Sequence, residues 1–442
     1  MAGAAWGQGA ARTLRREGAD GRVPWIVTFV ALGTLAAGVS LQAAGTRLGV
    51  ADLPPFVMGW QPRADAAWLV AAAAVFAAFA AAVPRLLDRR VPTAAFLAGS
   101  YAIALAAAVA INAARGGPHA LDAVFDLGPH GSFEAGNEYL PALPAFSYGT
   151  RFFLDRFAEL VPSLPANAAA HPPGLLLLVH WLGIRSAAAF AALVVGVGAL
   201  TVPLTYLIGR ELGRPERQAR TGALLCAAAP ATVLFGVSSA DYLYAALGAA
   251  SAWLLLRRPA LGAAALAIAS LFSWALLAIG AWAVLVRWRG RGRRDAVMVA
   301  TACALAVVAL DGVLAVAAGY DAVGTLRATG RIYRDSMASQ RPYAFWVLGS
   351  PAAWWLILGA PLGWLFARAA ARRDTGALAL AAVLLIAAVL GFTKAETERI
   401  WLPFVPLACA AAAATPLARP RLLVLVLAAQ ALAASVLFST VW

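Results

Sequence analysis

Charge is what this chain most conspicuously lacks. Only 13% of its 442 residues are charged, about half the roughly 25% of an ordinary soluble domain, while 62% are hydrophobic. That balance excludes a soluble enzyme, a disordered chain and a fibrous protein. Lysine is nearly absent, with Lys394 the single one among 35 basic residues, and the heavy use of alanine and arginine points to a GC-rich, bacterial genome. Cys226, Cys303 and Cys409 fall in apolar stretches and form no CxxC pair. They can build neither a disulfide framework for outer loops nor a redox pair, and read as small buried residues. What is abundant is apolar sequence in runs of about 20 residues, each long enough to cross a bilayer. Thirteen spans are expected, near 25–45, 66–84, 92–113, 186–209, 221–238, 240–256, 259–272, 273–286, 295–318, 345–367, 375–392, 400–416 and 421–440. The fold class is an all-α polytopic integral membrane protein. Residues 1–24 read as a cytoplasmic basic tail ahead of a retained span rather than a cleaved signal peptide.

The net charge of +14 is unevenly placed. With the N-terminus in the cytoplasm, 23 of the 35 basic residues and seven of the 21 acids fall on the inner side. The clusters Arg12–Arg22, Arg85–Arg90, Arg210–Arg220, Arg257–Arg258, Arg287–Arg294, Arg368–Arg373 and Arg419–Arg421 all lie there. This is the positive-inside pattern of a multi-pass protein of the bacterial inner membrane. The basicity records topology, and no nucleic-acid partner follows from it.

Two outer loops are long, 114–185 and 319–344, and a third, 393–399, is short but packed with charge. Phe152, Phe153, Phe157 and Leu160 alternate with Asp155, Arg156 and Glu159 at helical spacing. His171-Pro172-Pro173-Gly174 then opens an apolar stretch of about ten residues, too short to span. Counting that stretch as a span would place every later arginine cluster outside, so 173–182 reads as a short interfacial helix.

All four histidines, His119, His130, His171 and His180, sit in the first outer loop with Asp122, Asp126, Glu134, Glu138, Asp155 and Glu159. Long loops with such density usually carry function, although a solvated cap has the same composition. Arg327, Arg331, Arg334 and Arg341 crowd the second loop, and Lys394 and Arg399 the third. Outer cations run against the orientation rule, and suit either a lipid phosphate or pairing with Asp335, Glu396 or Glu398. Glu396 and Glu398, two residues apart, diverge on a helix and do not make one pair. Asp311 lies within a span, where an ionisable group is a functional candidate or the partner of an outer arginine. A divalent metal on His119, His130, Asp126 and Glu134 is an alternative whose spacing fits no recognised signature; no cofactor is otherwise implied.

Several of these segments, in this order, resemble the GT-C glycosyltransferases, and most of all the relatives of protein O-mannosyltransferases and lipid A aminoarabinose transferases. The resemblance runs through Asn137-Glu138-Tyr139, an amphipathic helix, His171-Pro172-Pro173-Gly174 and the interfacial helix. It continues in the basic turn Gly209-Arg210-Glu211-Leu212-Gly213-Arg214, the segment Pro230 to Tyr242 with Asp241 in its turn, and Glu396-Thr397-Glu398-Arg399-Ile400-Trp401. It covers 92–442, a GT-C-like membrane module with its long first outer loop 114–185, and leaves two N-terminal spans (25–91) outside. Two departures matter: Asn137 stands where the family often has Asp, and no soluble C-terminal domain follows.

The resemblance implies transfer of a hexose or pentose from a polyprenyl-phosphate donor to an envelope glycan, lipid or protein on the extracytoplasmic face. Such transfer needs a carboxylate to take the acceptor's proton and cations to steady the departing phosphate. Glu138 is the expected base, with Asp126 or Asp122 in its place if the departure at Asn137 matters, and Asp241 is a second acid. Lys394 and Arg399, helped by Arg331, Arg334 or Arg341, are expected to hold the phosphate, with His171, Glu396 and Glu398 also lining the substrate site. His171 could equally shape the start of the helix, and Asp241 could cap the next span. The competing class is a transporter or flippase of lipid-linked sugars, which calls for charges at mid-membrane and paired broken helices.

Overall fold

The computed structural model describes residues 3–50 and 53–440 and is almost entirely helical. Met1, Ala2 and the side chains of the expected basic tail up to Asp20 lie outside the described residues. Six helices are each long and apolar enough to cross a membrane: Gly21–Ala43, Ala66–Leu86, Thr93–Gly116, Ala187–Glu211, Arg293–Ala318 and Pro420–Leu437. We label the first three α1 (whose helix starts at Gly3), α2 and α3. A seventh crossing is possible through Tyr343–Leu358 and Ala360–Ala371, which meet at an angle of 115°. The other six expected spans are interrupted or short. Pro259–Ser270, for instance, has 12 residues, roughly 18 Å of helix against a hydrocarbon core of about 30 Å.

Small residues let the central helices touch. A Cβ on Gly198 would stand 2.2 Å from the Tyr242 ring, and one on Gly222 would stand 3.1 Å from the Cys409 carbonyl oxygen. Asp241–Arg257, Glu216–Ala228 and Val405–Ala412 form the buried centre, whereas Arg293–Ala318 is almost bare along its length. Such packing replaces the hydrophobic driving force that lipid does not supply.

Two helix breaks meet inside the bundle. The helix Glu216–Ala228 stops where Ala229 becomes extended ahead of Pro230, and the bent pair turns at Gly359, whose φ is +105°. A Cβ at Gly359 would come within 3.0 Å of the Pro230 ring. The break frees backbone groups that hydrocarbon cannot satisfy. Gln430 supplies both partners: its Oε1 accepts from Ala360 N at 3.0 Å and its Nε2 donates to Leu356 O at 2.9 Å. The expectation of one continuous span over 345–367 is corrected accordingly.

The last expected span is also shorter than read, ending at Leu437. Phe438–Thr440 (β2) instead pairs antiparallel with Met58–Trp60 (β1), with Trp60 opposite Phe438. This ribbon sits at the end of the bundle where α2 begins and α3 finishes, and the long loop packs over that end. At the opposite end Arg220 donates to Leu86 O, Asp88 O and Val91 O, and Arg287 to Leu255 O and Leu256 O. Both arginines tie down carbonyls at or just beyond helix C-termini.

The expected short helix is present as Gly174–Trp181, eight residues long and unable to cross. Gly174 N donates to Leu271 O at 2.7 Å, and Leu175, Leu176, Leu177 and Val179 are buried against protein. The amphipathic segment before it is two pieces, Thr150–Asp155 and Phe157–Leu160, broken at Arg156.

Candidate functional site

The segment 393–400 is built around an uncommon turn. Ala395 and Glu396 are consecutive non-glycine residues in the left-handed region, with φ of +65° and +60°. Each costs roughly 1–2 kcal/mol of backbone strain, so the surroundings must hold them. Thr397 Oγ1 donates to Ser350 O at 2.6 Å, Ser350 Oγ donates to Thr393 O at 3.1 Å, and Lys394 N donates to the Tyr333 hydroxyl at 2.8 Å. The turn aims Glu396 between two arginines.

Four charges then form an alternating chain. Arg341 Nη2 donates to Glu396 Oε1 at 2.7 Å, Arg399 Nη2 to Glu396 Oε2 at 3.1 Å, and Arg399 Nη1 to Asp241 Oδ2 at 2.8 Å. Arg341, Arg399 and Asp241 are buried. Arg341 also donates to Lys394 O at 2.7 Å, and Ser239 Oγ donates to Asp241 at 2.7 Å. Two cations and two anions cancel, which is how ionised groups survive burial. Burial pushes the Glu396 carboxyl up, but Arg399 and Arg341 outweigh that and hold it below the usual range.

Two further acids lie outside this balance. Glu138, at the end of a short 3-10 turn over Phe133–Asn137, is 2% exposed. Asn167 Nδ2 donates to its Oε1 at 2.6 Å, while its Oε2 has no partner among the described residues. Burial pushes its carboxyl up to about 8 against the pull of Arg399. Glu398 is fully buried, accepts from Val57 N at 2.7 Å, and is pushed by burial up to about 7. The cluster therefore rests near neutrality only while these two hold protons.

His171 and Tyr139 complete the floor. His171 Nδ1 lies 2.8 Å from the Asn167 carbonyl oxygen, an acceptor only, so the ring proton sits on Nδ1 and Nε2 is left as acceptor. Tyr139 OH is 3.1 Å from the same nitrogen and 2.7 Å from Tyr244 OH. Burial lowers the His171 pKa, partly offset by Asp241, which favours the neutral ring.

Of the residues singled out in the sequence, Glu138, His171, Asp241, Arg341, Glu396, Glu398 and Arg399 come together here. Asp126 does not: its Oδ1 accepts from Gly128 N at 2.9 Å, closing a local turn beside a different cleft with Leu140 and Arg185. Asp122 stands at the rim of an apolar groove between α3 and Ala187–Gly198. Arg331 and Arg334 are exposed on the helix Ala322–Asp335, and Arg331 lines a separate cleft with Glu159 and Asp335. Lys394 is half-buried, and its Nζ donates to Ala338 O at 3.3 Å. Asp311 makes no hydrogen bond or ion pair among the described residues. His119 and His130 stack together, but among the described residues no group of three His, Cys, Asp or Glu, these two with Asp126 and Glu134 included, is placed to hold a metal ion.

Nothing in the sequence marks the segment after α1. Val57 supplies the Glu398 hydrogen bond, Gly49 O accepts from Arg341 Nε at 3.3 Å, and Leu48 O accepts from Trp346 Nε1 at 3.0 Å. These are backbone contributions from a region with no motif of its own. Asn167, Ser239 and Tyr244 were also missed, being neutral residues in apolar or unremarkable contexts. Comparison of the chain with protein-family models, with curated proteins and with solved structures finds no match.

Proposed function

We propose that the protein is a membrane glycosyltransferase that moves a sugar from a polyprenyl-phosphate donor to an envelope acceptor on the extracytoplasmic face of a bacterial inner membrane. In this reading the chain crosses about thirteen times in a GT-C-like arrangement, several crossings being assembled from paired short helices. The observation that carries the reading is Glu138: a buried carboxyl with one oxygen held by Asn167, the other without a partner among the described residues, and a pKa lifted toward working pH. A general base works best with such a pKa. In its ionised form, Glu138 takes the acceptor's proton as the acceptor oxygen attacks the anomeric carbon, and the sugar–phosphate bond breaks toward the lipid phosphate. Arg399 is already engaged by Asp241 and Glu396, so its part is to set the field around Glu138. Lys394, with one modest bond to a carbonyl, keeps donors for the phosphate, and Arg331 and Arg334 would meet it only if the second loop moves inward.

Purified protein incubated with radiolabelled polyprenyl-phosphate sugars and membrane acceptors should transfer label. Glu138→Gln should lower transfer at least about 100-fold, within the range of general-base contributions, with donor binding changed only a few-fold. Asp126→Asn should cost far less. The reverse ranking would move the base to Asp126, and indifference to both would remove the chemical support for transfer. Lys394→Gln should weaken donor binding by roughly 10-fold or more, the loss of one charge-assisted contact.

A second reading, a transporter or flippase of lipid-linked sugars, is favoured by one observation, the 115° break at Gly359 against Pro230. Proteoliposomes that move the lipid-linked sugar across the bilayer without covalent transfer would select it.

A further inference from the structure

A second polar site lies at the same end of the bundle, in a cleft of about 300 Å³ between the start of α2, the end of α3, the ribbon and the long loop. Its wall carries Arg63, Arg115, His119, His130 and Ser132, and no carboxylate among the described residues. Arg115 is held rigidly by neutral acceptors only: Nη1 donates to Ser435 O and Phe438 O at 3.1 and 2.9 Å, and Nη2 to Gln61 O and Gln61 Oε1 at 3.0 and 3.1 Å. Its charge is therefore positioned and left unbalanced. The Arg63 guanidinium is exposed and makes no hydrogen bond or ion pair among the described residues. His119 and His130 stack with centroids 5.1 Å apart, two imidazoles side by side on the same wall. The Ser132 hydroxyl is shut from solvent and has no partner among the described residues.

Elsewhere in this protein a buried or crowded arginine is matched. Arg399, Arg341, Arg214, Arg220 and Arg287 each meet a carboxylate. Among the described residues, this cleft gathers two guanidiniums and two imidazoles with no acid lining it. Cations crowded without a counter-charge raise the local potential, and a planar guanidinium fork matches the oxygens of a phosphate. We infer that this cleft is a binding site for a phosphate-class anion, with Arg63 as its mobile ligand, Arg115 as its fixed charge, and the His119–His130 pair and Ser132 as further hydrogen-bonding groups. Its place at the ends of three membrane-long helices suits either a phosphodiester headgroup at the bilayer surface or a soluble phosphate. The inference is independent of sugar transfer and uses none of the residues assigned to it.

The chain contains only four histidines, so histidine-labelled protein gives four imidazole signals that can be followed one by one. In nanodiscs of phosphatidylcholine, full-length protein is titrated with inorganic phosphate in one arm. In the other, phosphatidylglycerol replaces part of the phosphatidylcholine. Saturable shifts of the His119 and His130 signals, with His171 and His180 unmoved, are expected in at least one arm. A response to phosphatidylglycerol alone identifies a headgroup site, and a response to inorganic phosphate identifies a soluble anion. Arg63→Gln should weaken the response at least 10-fold, and Arg115→Lys, which keeps the charge, should weaken it less than Arg115→Gln. The Arg63 side chain makes no hydrogen bond or ion pair among the described residues, so its variant tests binding even if Arg115→Gln fails to fold. Absence of a saturable shift in both arms, or an unchanged response in Arg63→Gln, overturns the site.

Discussion

Arg341, Glu396, Arg399 and Asp241 cancel one another in sequence, so removing any one leaves an uncompensated charge in a dry place. Asp241→Asn should destabilise the protein by about 3–5 kcal/mol, the usual consequence of breaking a buried pair from one side. An Asp241→Asn, Arg399→Met double variant should recover part of that loss, because no lone charge remains. Denaturation in detergent measures both, and a fully additive double variant would show that the two residues are not coupled. The two acids outside the balance behave differently. The folded carboxyls of Glu398 and Glu138 sit at about 7 and about 8, above the ordinary 4.5, so the folded protein keeps protons that the unfolded chain has released. Their contribution to stability is complete below about pH 4.5 and is lost as pH rises through 7 and 8. Glu396, held low, acts in the opposite sense and loses its contribution only on the acid side. The melting temperature should therefore fall from pH 5 to 9, and Glu398→Gln should flatten part of that fall. An identical slope in the variant would place the titration elsewhere.

At the scale of the helix, the arginines that report orientation in the sequence also do structural work. Arg287 is buried and bonds to Leu255 O and Leu256 O as well as to Asp295. Arg287→Ala strips two buried carbonyls of their donor, at about 1–3 kcal/mol for each group left unsatisfied. Thermal melting against the exposed control Arg289→Ala checks it, the control being expected to stay near the native value. Charge statistics could find these arginines but not their partners, which are carbonyls made available only when helix ends assemble. The bent pair at Gly359 was illegible for a related reason. Hydropathy sums across a break, and the residue that makes the break tolerable, Gln430, stands some 70 positions away. The site divides along the same line. Its ionisable members stood out because charge is rare in this chain, and the short helix at Gly174–Trp181 stood out by its length. Tyr244, Asn167 and the backbone of Leu48, Gly49 and Val57 did not, since their roles exist only as contacts across the fold.

For the molecule as a whole, the sidedness of the long loop is the next quantity to fix. Phe133 and Arg185 are both exposed and lie on either side of the helix Gly174–Trp181. Single cysteines at these positions should both react with an impermeant thiol reagent from the same face of the membrane. Reaction of the Arg185→Cys protein only after permeabilisation would make the short helix a crossing and invert everything after it.

The ribbon at the end of the bundle also sets an order in time. Met58–Trp60 leaves the ribosome about 380 residues before its partner Phe438–Thr440. At about 5–20 residues per second this delay is on the order of 20–80 s. Throughout that interval the segment that will bond to Glu398 and Arg341 has no strand to pair with, and Arg115 lacks the carbonyls of Ser435 and Phe438. The cationic cleft thus closes only with the arrival of the last helix, whereas every residue of the acid-lined site has been made by Arg399.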